Sequence, residues 1–318
     1  LLATSDGLTG HRNEEPSVIS LSGDALRGSY PPVATPFKDG RVDFDAYASL
    51  VEAQILGGSH GILVNGTTAE PSSLTIAERN QLLAVAVETA AGRIPVVAAT
   101  GSQSLAETLE LTRHADELGV QGVLVVTPYY IRPPQRGLVA YFQQVAAVTR
   151  APLLMYHIPG RAAVTVELDT LQRLADSIPH FVGMKHASAD LSLITECRRT
   201  LSRDFRIFAG LEDLSFPMLC VGASGLMNAV GNLCPGKVAA LCAAVFSGDL
   251  GTARRLHDEL WPLNKAIFFD TNPIPLKYLM RSRGLLQSDE VRLPLSRATP
   301  EVAGRLDHVL SDSAAVLN

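Results

Sequence analysis

Residues 94–130, IPVVAATGSQSLAETLELTRHADELGVQGVLVVTPYY, decide the architecture. The stretch contains two near-continuous apolar runs, IPVVAAT (94–100) and GVLVVT (122–127). That pattern belongs to strands buried on both faces of a parallel sheet. Between them, Ser104-Leu-Ala-Glu107 fits the capping box S/T-x-x-E and predicts a helix over 104–118. Gly119 stands where that helix should stop.

The same alternation runs outward in both directions. Further strands are predicted at PPVATPF (31–37), GILVN (61–65), PLLMYH (152–157), FVGMK (181–185), RIFAG (206–210) and SGLMNA (224–229). Helical patterns lie between them, for example at 75–92, 136–149 and 167–177, the first opening on a second capping box, Thr75-Ile-Ala-Glu78. Gly248 marks another helix stop. Eight β/α units most simply close into an α/β fold of the (β/α)8 barrel type. An open doubly wound sheet is the alternative, but no GxGxxG follows the first strand. Residues 236–313 read as additional C-terminal helices, and no internal repeat of 20–50 residues is found beyond the β/α rhythm. The expected division is an N-terminal extension at 1–27, a barrel at 28–232 and a C-terminal helical region at 233–318.

Composition narrows the function. Apolar residues make 47% of the 318-residue chain and charged residues 19%, a globular balance with enough length for a large core. The net charge is −5 and no basic block stands out, which speaks against nucleic-acid binding. No apolar run approaches a transmembrane length. Residues 1–27 are polar, lack an apolar h-region and do not begin with Met; they read as a poorly ordered extension rather than a signal peptide. Cys197, Cys220, Cys234 and Cys242 form no CxxC pair, and their apolar surroundings predict buried, reduced thiols in a cytoplasmic protein. The eight histidines show no ligand spacing, so no metal site is expected. GNLCPGKV (231–238) matches GxxxxGK but continues with Val238 where a P-loop needs Ser or Thr; Pro235-Gly236 entering a helix is the better reading.

A barrel carries its chemistry at the C-terminal ends of its strands. There stand GTTAEPSS (66–73), TPYY (127–130), YHIPGR (156–161), Lys185, Gly210 of AGLED, and Leu226-Met227. Lys185 follows the apolar run FVGM directly. A lysine lowered into an apolar mouth is desolvated, which favours the neutral amine. That amine is a nucleophile toward a ketone and can form a Schiff base. The plainer alternative is a lysine that snorkels out to pair with a carboxylate.

The ordered set GTTAE, VTPYY, YHIPGR, GMK, GLED and TNPIPLK (271–277) resembles the dihydrodipicolinate synthase / N-acetylneuraminate lyase superfamily of class I aldolases, from about Pro31 to Pro294. The resemblance implies that Lys185 captures pyruvate as an imine, with no metal or other cofactor. It implies that Tyr156 relays protons with Thr67 and Tyr130, the second tyrosine of TPYY reaching a neighbouring subunit. It implies that Thr67 and Thr68 cradle the pyruvate carboxylate, with Gly210 and Met227 among the substrate-binding positions. Arg161 matches the arginine that holds the carboxylate of L-aspartate 4-semialdehyde in the synthase branch, where a bidentate guanidinium fits. Each residue taken singly has another reading: turn hydroxyls for Thr67 and Thr68, interface packing for Tyr129 and Tyr130, a core phenol for Tyr156, a loop ion pair for Arg161.

The implied function is condensation of pyruvate with L-aspartate 4-semialdehyde, a step of lysine and diaminopimelate biosynthesis. The alternatives are another pyruvate-dependent aldolase, hydratase or deaminase acting on a 2-keto-3-deoxy or 4-hydroxy-2-oxo acid, and a non-catalytic keto-acid-binding barrel. The implied partners are these small molecules and copies of the chain itself, as a homodimer or homotetramer. Three departures stand out: Ala69 replaces a usual glycine, His157 a usual asparagine and His186 a usual acidic residue. Alanine at 69 would be strained if φ were positive there. In the family's lysine-feedback pocket, Gln103, Ile76 and Arg79 replace typical residues while Glu107 matches, predicting weak or absent inhibition by lysine.

Overall fold

The computed structural model describes residues 21–202 and 204–317. Eight parallel strands form the barrel: β1 (Gly28–Ser29), β2 (Ile62–Val64), β3 (Val96–Ala99), β4 (Gly122–Val126), β5 (Leu153–His157), β6 (Phe181–His186), β7 (Arg206–Ala209) and β8 (Gly225–Leu226). Each pairs with its sequence neighbour, and β1 returns to pair with β8. The remaining seam, between β1 and β2, closes through a bridge from Pro32 to Leu63, with Val33 N–H donating to Leu63 O and Leu63 N–H to Pro31 O. Gly225 is needed where β8 meets β1: a Cβ would strike the Gly28 carbonyl oxygen of that paired strand.

The first strand differs from its predicted 31–37. Pro31 and Pro32 lack the N–H that a ladder needs. The paired ladder therefore lies earlier, at 28–29. Residues beyond 35 turn outward into an antiparallel hairpin, Phe37–Lys38 with Arg41–Val42, whose tip is Asp39-Gly40, both at positive φ.

Eight helices follow the strands: α1 (Phe44–Leu56), α2 (Ile76–Ala90), α3 (Leu105–Glu117), α4 (Gln135–Ala146), α5 (Leu168–Ser177), α6 (Leu191–Thr200), α7 (Ser215–Cys220) and α8 (Pro235–Phe246). Pro235 opens α8, as expected of the GNLCPGKV stretch. This helix packs on β1 and so covers the barrel seam, although it lies beyond residue 232. Three further helices follow, α9 (Leu250–Ala266), α10 (Ile274–Ser282) and α11 (Pro300–Asp312). No helix among the described residues is long and apolar enough to cross a membrane.

The capping box at Thr75 forms in both directions, Glu78 N–H donating to Thr75 Oγ1 and Thr75 N–H to the Glu78 carboxylate. The one at Ser104 forms by half. Glu107 N–H donates to Ser104 Oγ, but the Glu107 carboxylate takes the Ser102 hydroxyl at 2.7 Å instead. Gly119 and Gly248 follow their helices at positive φ, as expected.

Two apolar clusters result. The larger fills the shell between strands and helices; the smaller fills the barrel interior with Leu26, Tyr30, Leu63, Val97, Leu124, Leu154 and Phe208. Of the 1–27 extension, residues 1–20 lie outside the described residues. Residues 21–27 turn against the interior cluster: Leu26 is buried in it, and Arg206 donates to the carbonyls of Ser22 and Ala25. Two leucines five positions apart, Leu21 and Leu26, carry no periodic signal by which this could be read. Cys197, Cys234 and Cys242 are buried free thiols, as expected; Cys220 is free but exposed, because it lies at the surface end of the short helix α7.

Candidate active site

The register between β5 and β6 sets Tyr156 opposite Lys185 and His157 opposite His186. Side chains alternate faces along a strand. Tyr156 belongs to the barrel interior and stacks near the Lys185 ammonium, whose Nζ lies 4.5 Å from the ring centroid. Lys185 is only 4% exposed and forms no ion pair among the described residues. The snorkelling alternative therefore does not describe it. Its stem passes Gly210 at the end of β7. A Cβ at 210 would lie 2.9 Å from Lys185 Cε and 3.0 Å from Ala187 Cβ, so only glycine leaves the lysine its path.

The turn after β2 brings hydroxyls to this pair. Thr67 Oγ1 is 3.3 Å from the Tyr156 hydroxyl. Thr67, Thr68 and Ala69 form one 3₁₀ turn, and the left-handed residue is Glu70, at φ 58°. Ala69 is not at positive φ, so the feared strain is absent; its carbonyl accepts the Thr35 hydroxyl at 2.8 Å. Thr68 Oγ1 accepts from Asn272 Nδ2 at 3.0 Å. Glu70 is held by the fully buried Lys277, whose Nζ donates to Oε1 at 2.6 Å and to the Glu290 carbonyl at 2.7 Å. Burial pushes the Lys277 ammonium below the usual lysine range, and the Glu70 charge opposes that push. Arg292 N–H donates to the other Glu70 oxygen.

A cavity of about 710 Å³ opens over the turn and is lined by Thr67, Tyr156, Arg161, Tyr129, Glu107 and Arg79 among others. Lys185 is not among its lining residues; its Nζ lies over the ring of Tyr156, which is. Arg161 sits on a helical turn, Pro159–Ala162, and takes part in none of the ion pairs among the described residues, so the loop-ion-pair reading is not what the structure shows. Met227 is buried in the interior cluster. Tyr130 is not brought to its own chain's cavity. It is 86% exposed at φ 75°, while its neighbour Tyr129 lines the cavity. Arg79 is buried, and its guanidinium donates to the carbonyls of Ala99 and Gly101; burial lowers its pKa to about 10.

Two further buried groups border the mouth. Glu212 of the GLED motif accepts from Ala229 N–H at 2.6 Å, and burial pushes its carboxyl up to about 7 against the opposing charge of Lys185. Behind the strands, His157 Nδ1 and His186 Nδ1 stand 3.1 Å apart. Burial is the main cause that holds His157 down at about 4; it also lowers His186.

Sequence reading found the strand-end residues but not their supports. The Glu70–Lys277 pair, the Asn272–Thr68 bond and the Arg292 contacts join residues more than 200 positions apart. Their only signal was the motif TNPIPLK, which carries both Asn272 and Lys277.

A family model described as the dihydrodipicolinate synthetase family matches residues 25–313. A 4-hydroxy-tetrahydrodipicolinate synthase of Thermus thermophilus is 49% identical over 282 residues, 88% of this chain and 94% of that protein. The crystal structure of dihydrodipicolinate synthase from Aquifex aeolicus superposes with a TM-score of 0.89 at 38% identity, covering 92% of this chain and 99% of that one. A chloride-inhibited dihydrodipicolinate synthase from Acinetobacter baumannii, complexed with pyruvate, gives 0.87 at 33% identity over 91% of this chain and 99% of that one. With the barrel and the strand-end motifs alike over nearly the whole chain, the protein belongs to the dihydrodipicolinate synthetase family of class I, Schiff-base-forming lyases.

Proposed function

We propose that this chain is a 4-hydroxy-tetrahydrodipicolinate synthase that condenses pyruvate with L-aspartate 4-semialdehyde, without metal or organic cofactor. The observation that carries the reading is the buried Lys185 amine against Tyr156, whose hydroxyl meets Thr67 at 3.3 Å. The Lys185 amine attacks C2 of pyruvate and water leaves, giving the imine. Loss of a proton from C3 gives the enamine, which adds to the aldehyde carbon of the second substrate. The substrate's own amine then attacks C2, closes the ring and expels Lys185. Each step moves a proton at or near the imine, and a phenol in contact with a hydroxyl is suited to carry it. The Thr67–Thr68 turn holds the pyruvate carboxylate, with Gly210 and Met227 shaping the floor. Arg161, which lines the cavity and has no carboxylate partner among the described residues, holds the carboxylate of the aldehyde substrate. Tyr130 serves the site of a second copy in a homodimer, or a homotetramer built from two, and the enzyme works in the cytoplasm.

Borohydride trapping tests the imine. Incubation with pyruvate and reductant should add one lactyl-type group to Lys185 by peptide mapping, and Lys185→Met should abolish it. Turnover with L-aspartate 4-semialdehyde should then exceed that with any 2-keto-3-deoxy acid. Trapping with faster turnover of a keto-deoxy acid would move the chain to another aldolase activity, and absence of an adduct in folded protein would overturn the imine itself.

A further inference from the structure

The paired imidazoles behind the strands have a single hydrogen-bonding solution. Val166 N–H donates to His157 Nε2 at 3.3 Å, so that nitrogen carries no proton. A neutral His157 then carries its proton on Nδ1 and donates to His186 Nδ1 at 3.1 Å. His186 must in turn carry its proton on Nε2, where it donates to the Asp190 carbonyl at 2.9 Å. Of the four neutral tautomer combinations, only this one makes all three bonds. A proton added to either ring sets two donors face to face. Both rings are buried.

The ends of this chain are the two loops that follow β5 and β6. Val166 closes the segment 158–167 that carries Arg161, and Asp190 caps α6 beyond Lys185. The segment has other holds: Gln135 Nε2 donates to the Thr165 carbonyl, Glu167 N–H donates to Gln135 Oε1, and Val164 and Val166 are buried. His157 is the hold that comes from the strand bearing Tyr156.

We propose that the His157–His186 pair is a positioning device that sets the Arg161 loop against the Tyr156–Lys185 pair, and so tunes capture of the second, carboxylate-bearing substrate. This rests on the synthase reading. His157 and His186 touch no substrate; they act through Val166 and Asp190. Asn and Gln separate the two ends of the His157 ring, since an Asn amide reaches the Nδ1 position and a Gln amide the Nε2 position. His157→Asn keeps the donor to His186 and loses the acceptor for Val166; His157→Gln does the reverse.

The experiment is steady-state kinetics on wild type, His157→Asn and His157→Gln, with hydrogen exchange of segment 158–167 by mass spectrometry. The Asn variant should raise KM for L-aspartate 4-semialdehyde about 5- to 10-fold, the loss expected of one buried hydrogen bond. KM for pyruvate and borohydride trapping should stay within about twofold, the level at which a lost bond is negligible. Segment 158–167 should exchange faster in the Asn variant, and the Gln variant should restore both readouts. Equal exchange and equal KM values in all three proteins would overturn the proposal, as would parallel changes in the KM of both substrates. Wild type that traps pyruvate but does not use the aldehyde would overturn the synthase reading instead, and the exchange data would still decide whether His157 holds the loop.

Discussion

Replacing Lys277 by methionine should damage both stability and the turn that bears Thr67 and Thr68. Lys277 and Glu70 have side chains 0% and 1% exposed, with Nζ 2.6 Å from Oε1. Two unit charges that close attract by about 6 kcal/mol at an effective dielectric of about 20, an attraction largely offset by the loss of water around both. Methionine preserves the volume and removes the attraction, leaving Glu70 buried with the Arg292 N–H as its remaining partner. Removing one member of such a pair destabilises by about 3–5 kcal/mol. With a urea slope of about 3 kcal/mol per molar, the midpoint should fall by about 1–1.7 M. Adding Glu70→Gln should recover part of the loss, because no uncompensated charge then stays buried. The assay is urea unfolding followed by tryptophan fluorescence and circular dichroism for both single variants and the double. A loss under about 1 kcal/mol for Lys277→Met, or a double variant that loses the full sum of the singles, would refute the coupling.

Two other outcomes can be checked on the same preparation. Gly210→Ala places a methyl 2.9 Å from Lys185 Cε, so borohydride trapping with pyruvate should slow by about tenfold or more while the circular dichroism stays unchanged; wild-type trapping would show that the lysine stem has room to spare. L-lysine at millimolar concentration should change the initial rate by less than about twofold, because the buried Arg79 guanidinium fixes a positive charge beside the cavity that would repel an ammonium; strong inhibition would mean that Glu107 outweighs it.

Much of the barrel could be read from the chain because its strands are apolar almost throughout and its helices begin on Thr75, Ser104 and similar caps. Predicted and observed strands from β2 to β7 differ by at most two residues at either end. The first strand failed for a local reason: PPVATPF is apolar enough for a strand, but two of its residues cannot donate to a ladder. The hairpin at 37–42 carries a turn signal, Asp39-Gly40, but its strands of two residues each are too short to show an alternating pattern. Within the site, Lys185, Tyr156 and Thr67 could be placed because strand ends define one mouth. Tyr130 and Tyr129 are told apart by the resemblance alone, since adjacent residues on an irregular loop have no period to say which faces inward. The direct contact between His157 and His186 depended on strand register, which no local pattern encodes.

The turn bearing Thr67 and Thr68 is fastened by Asn272, Lys277 and Arg292, all from beyond the last strand. During synthesis on a ribosome the eight strands are complete at Leu226, some fifty residues before Lys277 emerges. A nascent barrel at that point contains the amine and the phenol but not the clasp on Glu70. The turn is therefore fastened only near the end of translation. A chain cut short after the eighth strand holds Thr67 and Thr68 without the contacts that fasten their turn, and lacks the helix α8 that covers the seam.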